Sequence, residues 1–266
     1  MKLYKIAFII FGVLLAFTSC KEEEVEPFSG APGLNFMASD GYGGFYDSGN
    51  SYENLSSVVD FFGLYAQEKT MDLSYYDVKV CLQLEGRISD KPLKIKLMAE
   101  PVEGYDMPEL EMPEAAEMEA GEYRKEFTIR CKYPKDGKEC KCVIKVDYAN
   151  SDFVAGTLQR QQYEITATDE TDWSSMWVFS PEEWNAAYSS VLGNYGEKKV
   201  RFIMAALAAE DLSANDISML YYYQKNYHSY GFDDDVMEAL RNALAQYNST
   251  HDKPLTETDG TPVTFN

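Results

Sequence analysis

The feature that most constrains this chain is a change in the spacing of its apolar residues at about Asp169. Before that point apolar and polar residues alternate, most clearly in Tyr76–Leu84. Alternation gives a strand one apolar face, whereas the spacing of three to four residues that follows Asp169 gives a helix one apolar stripe. The sequence therefore predicts an α+β protein, with a β-sandwich domain at 34–168 and a mainly helical region at 169–266.

The N-terminal part predicts about seven short strands separated by Gly, Pro and Asp turn signals, which is typical of an antiparallel β-sandwich. The predicted strands are Leu34–Phe36, Val58–Gln67, Tyr76–Leu84, Leu93–Leu97, 127–133, 140–148 and Tyr163–Ala167. The acidic stretch Pro101–Gly121 is predicted to be a long loop.

The C-terminal part carries start and stop signals for four helices. Ser180 and the proline after it are typical of a helix start, and Gly193 is typical of an end. Ser213 and the aspartate three residues later resemble a capping box. The predicted helices are 181–193, Lys198–Ala209, Ser213–Tyr227 and Asp233–Tyr247.

The first 33 residues predict export and a lipid anchor. Lysines precede the apolar run Ile6–Phe17, which is too short to span a bilayer, so 1–19 is interpreted as a signal peptide. Small residues before Cys20 resemble a bacterial lipobox, which implies lipidation of Cys20 and attachment to the membrane by several acyl chains. The alternative is an ordinary secretory cleavage site. Residues 20–33 would then form the lipid-anchored tether.

The tether begins with Lys21–Glu24, one lysine followed by three glutamates. This resembles the tag that sends Bacteroidetes lipoproteins to the outer face of the outer membrane, and the alternative is a solvated charged linker. We therefore expect the protein in the outer membrane, facing the cell exterior. The formal net charge of −20 argues against nucleic acid and anionic lipid as partners, because both need a basic footprint.

Four cysteines follow Cys20, and two of them predict a cross-strand pair. The segment 127–148 suggests a hairpin about a turn at Asp136–Gly137, which would place Cys131 opposite Cys142. Oxidising conditions permit a disulfide there, and a plain buried thiol is the alternative. Zinc is disfavoured, because the cysteines lack paired spacing and a nearby histidine. Cys81 is expected to face away from the core side of its strand.

Several landmarks together resemble the DUF4843 family of Bacteroidetes lipoproteins. They are the anchored cysteine, the segments Gly33–Phe36, Leu84–Leu93 and Leu192–Ile203, and Trp184. The resemblance implies an uncharacterised cell-surface lipoprotein with an immunoglobulin-like β part and a helical part, often encoded near outer-membrane glycan-uptake systems. The family carries no accepted catalytic residues to transfer. The chain departs from the family pattern in Pro101–Gly121, where a shorter connection is expected.

Catalytic motifs are not recognisable in the sequence. It holds two histidines, with no H-E-x-x-H, no G-x-S-x-G and no phosphate-binding loop. The acidic run Asp233–Asp235 lacks the glycine and the final glutamate of a calcium-binding EF-hand loop. We therefore predict a protein that is not an enzyme and has no cofactor or metal.

Aromatic residues give the one hint of a ligand. The chain has 20 Tyr and 3 Trp, and sugar rings pack their C–H faces on such rings. Tyr42 and Tyr46 flank a Gly-rich, loop-like segment and, with Trp173, are the candidate ligand-binding residues. The run Tyr221–Tyr223 must place its rings on more than one helix face, since consecutive helical residues point about 100° apart, so at least one should face solvent or the domain seam.

The leading hypothesis is a non-catalytic binding or accessory protein of a glycan-acquisition system, with polysaccharide or an outer-membrane transport complex as its partner. The alternative is a structural or interaction lipoprotein that docks to an outer-membrane partner without binding glycan. An uncharacterised hydrolase is the least favoured reading.

Overall fold

The computed structural model describes residues 30–40, 44–46, 55–134, 138–169, 181–228 and 230–266. Residues Pro32–Asn266 belong to one compact unit. The predicted signal peptide, Cys20, Tyr42 and Trp173 lie outside the described residues, and so does the predicted turn at Asp136–Gly137.

The described strands precede most of the helices. They are β1 (Gly33–Phe36), β2 (Ala38–Ser39), β3 (Phe45–Tyr46), β4 (Ser56–Asp60), β5 (Tyr75–Glu85), β6 (Leu93–Ile95), β7 (Leu97–Pro101), β8 (Leu110–Glu111), β9 (Ala116–Met118), β10 (Arg124–Lys132), β11 (Cys140–Val146), β12 (Val154–Ala155) and β13 (Gln162–Thr168). Short 3-10 helices occupy Tyr148–Asn150 and Leu158–Arg160.

Two sheets form a sandwich-like N-terminal part. One has the strand order β12-β1-β5-β10-β8 and the other β4-β13-β11-β7, while β2–β3 and β6–β9 form two-stranded sheets. The alternation predicted from the sequence is real, because Val80 and Leu82 on β5 and Ile144 on β11 point into one core between the sheets. The sheets are mixed and not purely antiparallel, since β1 pairs with β12 and β4 with β13 in parallel. Each parallel pair joins strands that are far apart in sequence, and the chain between them is long enough for the crossover connection that parallel strands require.

The predicted strand Val58–Gln67 is wrong beyond Asp60, where helix α1 (Phe61–Gln67) begins. The Asp60 carboxylate accepts a hydrogen bond from the Phe62 backbone N–H at 3.1 Å and caps the helix. Phe61 packs into the sandwich core, whereas Phe62 packs into the helical core. Helix α1 therefore joins the two cores, and consecutive buried phenylalanines are explained by a helix wedged between them.

The C-terminal part is helical, as predicted. Its helices are α2 (Pro181–Ala187), α3 (Ser189–Leu192), α4 (Glu197–Ala209), α5 (Ala214–Tyr227) and α6 (Asp234–Thr250). The predicted first helix is interrupted at Tyr188, and it ends at Gly193, whose φ of +76° is one that glycine adopts easily. The capping box is confirmed, because Ser213 and Asp216 exchange side-chain and backbone hydrogen bonds. Trp184, Leu207, Ile217 and Leu240 meet in the core.

The predicted hairpin between 127–133 and 140–148 is wrong. Strand β10 pairs with β5 and β8, whereas β11 pairs with β13 and β7 in the other sheet. Cys131 therefore lies beside Tyr76 and Leu110, and Cys142 lies beside Ile165 and Pro101. The connection between β10 and β11 crosses from one sheet to the other, which a turn signal alone does not distinguish from a hairpin. Both cysteines are buried free thiols.

The structure also tests two smaller predictions made from the sequence. The segment Pro101–Gly121 is mostly irregular, but it contains the short strands β8 and β9. Cys81 points away from the sandwich core as expected, yet it is buried, with its Sγ 3.5 Å from Sδ of Met37. In the described part of the chain, no helix combines the length and the apolar character needed to cross a membrane.

Candidate functional site: an exposed tyrosine surface

Helix α5 carries tyrosines on its solvent side because its other side is used for packing. Ile217, Tyr221 and Gln224 follow one stripe at helical spacing and are buried against the helical core. The neighbouring rings of Tyr222, Tyr223 and Tyr227 must then point away from that stripe. Together with Tyr230 just after the helix, these three residues define the tyrosine surface.

The rings of Tyr222, Tyr223 and Tyr227 pack against one another. The ring centroids of Tyr222 and Tyr223 are 5.7 Å apart, and those of Tyr223 and Tyr227 are 6.1 Å apart. Tyr222 and Tyr227 are joined by a side-chain hydrogen bond, which raises the pKa of Tyr222 above its ordinary value. These contacts hold the three rings together as a group.

The chain after α5 folds back onto the same helix. His228 takes a left-handed conformation, with φ of +51°, and its backbone N–H donates to the carbonyl of Gln224. A Cβ at Gly231 would lie 2.6 Å from the carbonyl oxygen of Leu220, so only glycine fits there. The ring of Phe232 packs 4.8 Å from that of Tyr221. This return places Tyr230 beside the end of α5.

Exposure sets the tyrosine surface apart from the rest of the helical part. Tyr223, Tyr227 and Tyr230 are 37%, 57% and 82% exposed. Within the described residues of 181–266 they are the only exposed large hydrophobic side chains, whereas the sandwich also exposes aliphatic ones such as Leu158. A patch made of tyrosines offers flat C–H-binding faces and hydroxyl groups together, which suits a hydrated ligand better than an apolar one.

Of the three ligand residues predicted from the sequence, the structure describes Tyr46. Tyr46 lies on β3 opposite Ala38 and is 40% exposed. Tyr42 and Trp173 are outside the described residues. The expectation that at least one ring of the run Tyr221–Tyr223 faces solvent or the domain seam is confirmed, because Tyr223 is exposed while Tyr221 is buried. The contribution of Tyr227 was missed, although its spacing of four residues from Tyr223 was the available signal.

A second cluster of polar side chains is buried between the sandwich and the helices. The Arg201 guanidinium donates from Nη2 to Oδ2 of Asp169 at 2.8 Å and from Nε to Oδ1 at 3.3 Å. The Tyr133 hydroxyl donates to the same carboxylate, and Tyr65 is hydrogen-bonded to Tyr133. Burial and the Asp169 carboxylate hold the pKa of Tyr133 well above its usual range. These residues join the end of β13 to α4, so their arrangement is that of a structural tie.

A third polar group lies at the start of α4. The Glu257 carboxylate accepts the backbone N–H groups of Lys198 and Lys199, each at 2.9 Å, and so caps a helix whose own N-cap residue, Gly196, has no side chain. The Lys199 amine is buried and donates to the carbonyls of Leu192 and Asn194 at 2.8 Å. Burial lowers the pKa of Lys199 to about 8. All partners of this amine are internal, which again indicates a structural role.

Among the described residues, no group of three or more His, Cys, Asp or Glu side chains is placed to hold a metal ion. The tyrosine surface is the candidate that the described geometry favours, because Tyr222, Tyr223 and Tyr227 pack ring against ring, whereas the exposed Tyr75, Tyr105 and Tyr123 of the sandwich each lie against a basic side chain.

Comparison with known proteins gives little beyond this geometry. No protein-family model matches the sequence, and no curated protein is significantly similar to it. Among solved structures, the crystal structure of the apo form of the Calx CBD1 domain is similar at a TM-score of 0.34 and 9% sequence identity, over 53% of this chain and 100% of that domain. A likeness this weak carries no argument about function.

Proposed function

We propose that this protein is a non-catalytic, lipid-anchored binding protein of the outer-membrane surface, associated with glycan acquisition, and that its tyrosine surface contacts polysaccharide. The observation that supports the ligand class most is the packed group of Tyr222, Tyr223 and Tyr227, of which Tyr223 and Tyr227 are exposed, with the exposed Tyr230 just after them in the chain. Sugar rings present apolar C–H faces and polar edges, and tyrosine presents the matching pair of surfaces.

The anchor and the location are part of the proposal. They rest on the signal peptide at 1–19, on the lipobox-like residues before Cys20 and on the acidic tag that follows it. We also propose that the chain belongs to the DUF4843 family and that its sandwich has an immunoglobulin-like arrangement. The two sheets that face each other across one core support the latter.

Lipidation can be tested separately from ligand binding. In cells supplied with an alkyne-tagged fatty acid, the full chain should become labelled and should fractionate with the outer membrane. Cys20→Ala should remain unlabelled. Equal labelling of the two proteins would remove Cys20 as the lipid-bearing residue.

Ligand binding is tested with the full chain in detergent, by its retardation in native gels that contain single polysaccharides. We expect at least one polysaccharide to retard it. At about 1 kcal/mol per ring, Tyr223→Ala with Tyr227→Ala should weaken that binding about 30-fold. Tyr123→Ala is the matched control, since Tyr123 is 53% exposed but lies on the sandwich. Tyr46→Ala tests the candidate found from the sequence.

One observation favours a second function, docking to an outer-membrane protein partner. Leu158 is 82% exposed and Val154 is 47% exposed, and both lie at or just after β12, the edge strand of the five-stranded sheet. Exposed aliphatic side chains beside an unpaired strand edge are typical of protein interfaces. If no polysaccharide retards the protein, and Leu158→Ser abolishes co-purification of an envelope partner, this second function replaces the first.

A further inference from the structure

We infer that the tyrosine surface selects neutral polysaccharides and excludes those that carry carboxylate or sulfate groups. This inference rests on the proposed function, and it concerns the charge of the chain that the same site accepts. It follows from the charged residues that surround the tyrosines.

Acidic residues dominate the segment that forms the surface. Residues 213–235 contain four aspartates and one lysine, and no arginine. Lys225 lies 3.5 Å from the carboxylate of Glu183, so this lysine already has an acidic partner. Proteins recognise carboxylate and sulfate groups with paired N–H donors, above all those of arginine. Residues 213–235 therefore lack the arginine donors that an acidic polysaccharide needs.

Three of the aspartates lie near the Tyr230 edge of the tyrosine surface. Asp233 follows Tyr230 by three residues, so their Cα atoms are at most about 11 Å apart. The Debye length is about 10 Å at 0.1 M ionic strength and about 30 Å at 0.01 M, so Asp233–Asp235 act on the Tyr230 edge most strongly at low salt.

The polar groups of the surface itself are neutral. Tyrosine hydroxyls donate and accept hydrogen bonds, and their ordinary pKa of about 10 keeps them protonated at neutral pH. The bond to Tyr227 raises the pKa of Tyr222 further. Sugar hydroxyls are matched by such groups at little electrostatic cost. A uronate or a sulfate ester would instead approach a protein whose net charge is −20.

The test compares neutral and acidic polysaccharides of similar length on the full chain in detergent. The neutral probes are galactomannan, xyloglucan and a branched α-glucan, and the acidic probes are polygalacturonate and chondroitin sulfate. Affinities are measured at about 20 mM and about 300 mM NaCl, between which the Debye length falls several-fold. We expect a neutral probe to bind with an affinity that changes less than about twofold between the two salt concentrations. At low salt the acidic probes should bind at least tenfold more weakly than the neutral probe.

A charge variant locates the effect. Asp234→Asn with Asp235→Asn leaves the N-cap Asp233 in place and should strengthen binding of the acidic probes about threefold or more at low salt, while leaving neutral binding unchanged. Glu117→Gln with Glu119→Gln removes the same charge from exposed residues at and just after β9, and should change neither affinity.

The outcomes separate this inference from the proposed function. Acidic probes that bind as tightly as neutral ones overturn the inference and leave glycan binding intact. An equal gain from both charge variants also overturns it, because the effect would then come from net charge and not from Asp234 and Asp235. Failure of every polysaccharide to bind overturns both the inference and the proposed function.

Discussion

Removing the carboxylate of Asp169 should destabilise the fold strongly, because it breaks a buried ion pair from one side. Asp169 and Arg201 are 4% and 9% exposed, and the carboxylate accepts two hydrogen bonds from the guanidinium and one from Tyr133. In Asp169→Asn the guanidinium stays buried without its main counter-charge. Breaking a buried pair from one side costs about 3–5 kcal/mol.

The structure also predicts how large this loss of stability is relative to that of other variants. Glu197 lies 3.7 Å from Nη1 of Arg201 but is 65% exposed, so Glu197→Gln should cost less than about 0.5 kcal/mol. Replacing both members of the pair, Asp169→Asn with Arg201→Met, removes the unpaired charge together with its partner. This double variant should therefore be more stable than Asp169→Asn alone.

Urea unfolding followed by tryptophan fluorescence measures these differences. With a slope of about 3 kcal/mol per molar urea, Asp169→Asn should lower the midpoint by about 1 M or more. The coupling between the two positions follows from the four proteins of the cycle. A midpoint for Asp169→Asn within about 0.2 M of the wild type would refute the argument, as would a double variant that is the least stable of the four.

Three further predictions concern groups away from the tyrosine surface. Glu257→Ala uncaps α4 and should lower the Tm by about 2–4 °C, while Glu238→Ala on the exposed side of α6 should leave the Tm unchanged; equal effects would exclude the capping role. Because burial lowers the pKa of Lys199 from 10.5 to about 8, the unfolded chain binds more protons between these values, so the stability contributed at this position rises with pH. Relative to Lys199→Met, the wild type should gain about 1 kcal/mol of unfolding free energy between pH 8 and pH 9, and a constant difference would contradict the shift. Burial raises the pKa of Cys131 and of Cys142 to about 12, so both thiols should react slowly with a disulfide reagent in the native protein and rapidly in guanidinium. If the count of reactive thiols in guanidinium is two short, the two cysteines form a disulfide.

The sequence predicted the fold class well because periodicity reports burial directly. Alternation in β5 and the helical spacing in α6 each follow from a buried side, and both could be recognised without knowledge of any contact. The capping box at Ser213 was legible too, since both partners lie within four residues. Local signals of this kind need no knowledge of the tertiary structure.

Pairing between sheets was not predictable in the same way. The turn signal near Asp136 suits a hairpin and equally a connection that crosses the sandwich, so the register of Cys131 against Cys142 did not follow from it. The apolar run after Asp60 was assigned to a strand because a helix between two cores is apolar on opposite sides and loses its amphipathic pattern. In both places a long-range contact overrides the local pattern.

The candidate site could be predicted from the sequence only in part, for a related reason. Tyr221 and Tyr223 differ in exposure because a helix must rotate consecutive residues, which the sequence predicts. The position of Tyr230 instead depends on Gly231 packing against Leu220, a contact that no local pattern encodes. The site thus combines a helix face that can be predicted with a return of the chain that cannot.

The same long-range contacts imply how the protein unfolds. Phe61 and Phe62 are neighbours in sequence but belong to the sandwich core and the helical core respectively, so neither core can open without exposing part of α1. The pair Asp169–Arg201 adds a buried polar tie between β13 and α4. Two regions with separate cores would unfold in two steps, whereas shared residues couple them. Fluorescence and far-ultraviolet circular dichroism should therefore report one coincident transition, and two separate transitions would contradict the coupling through α1.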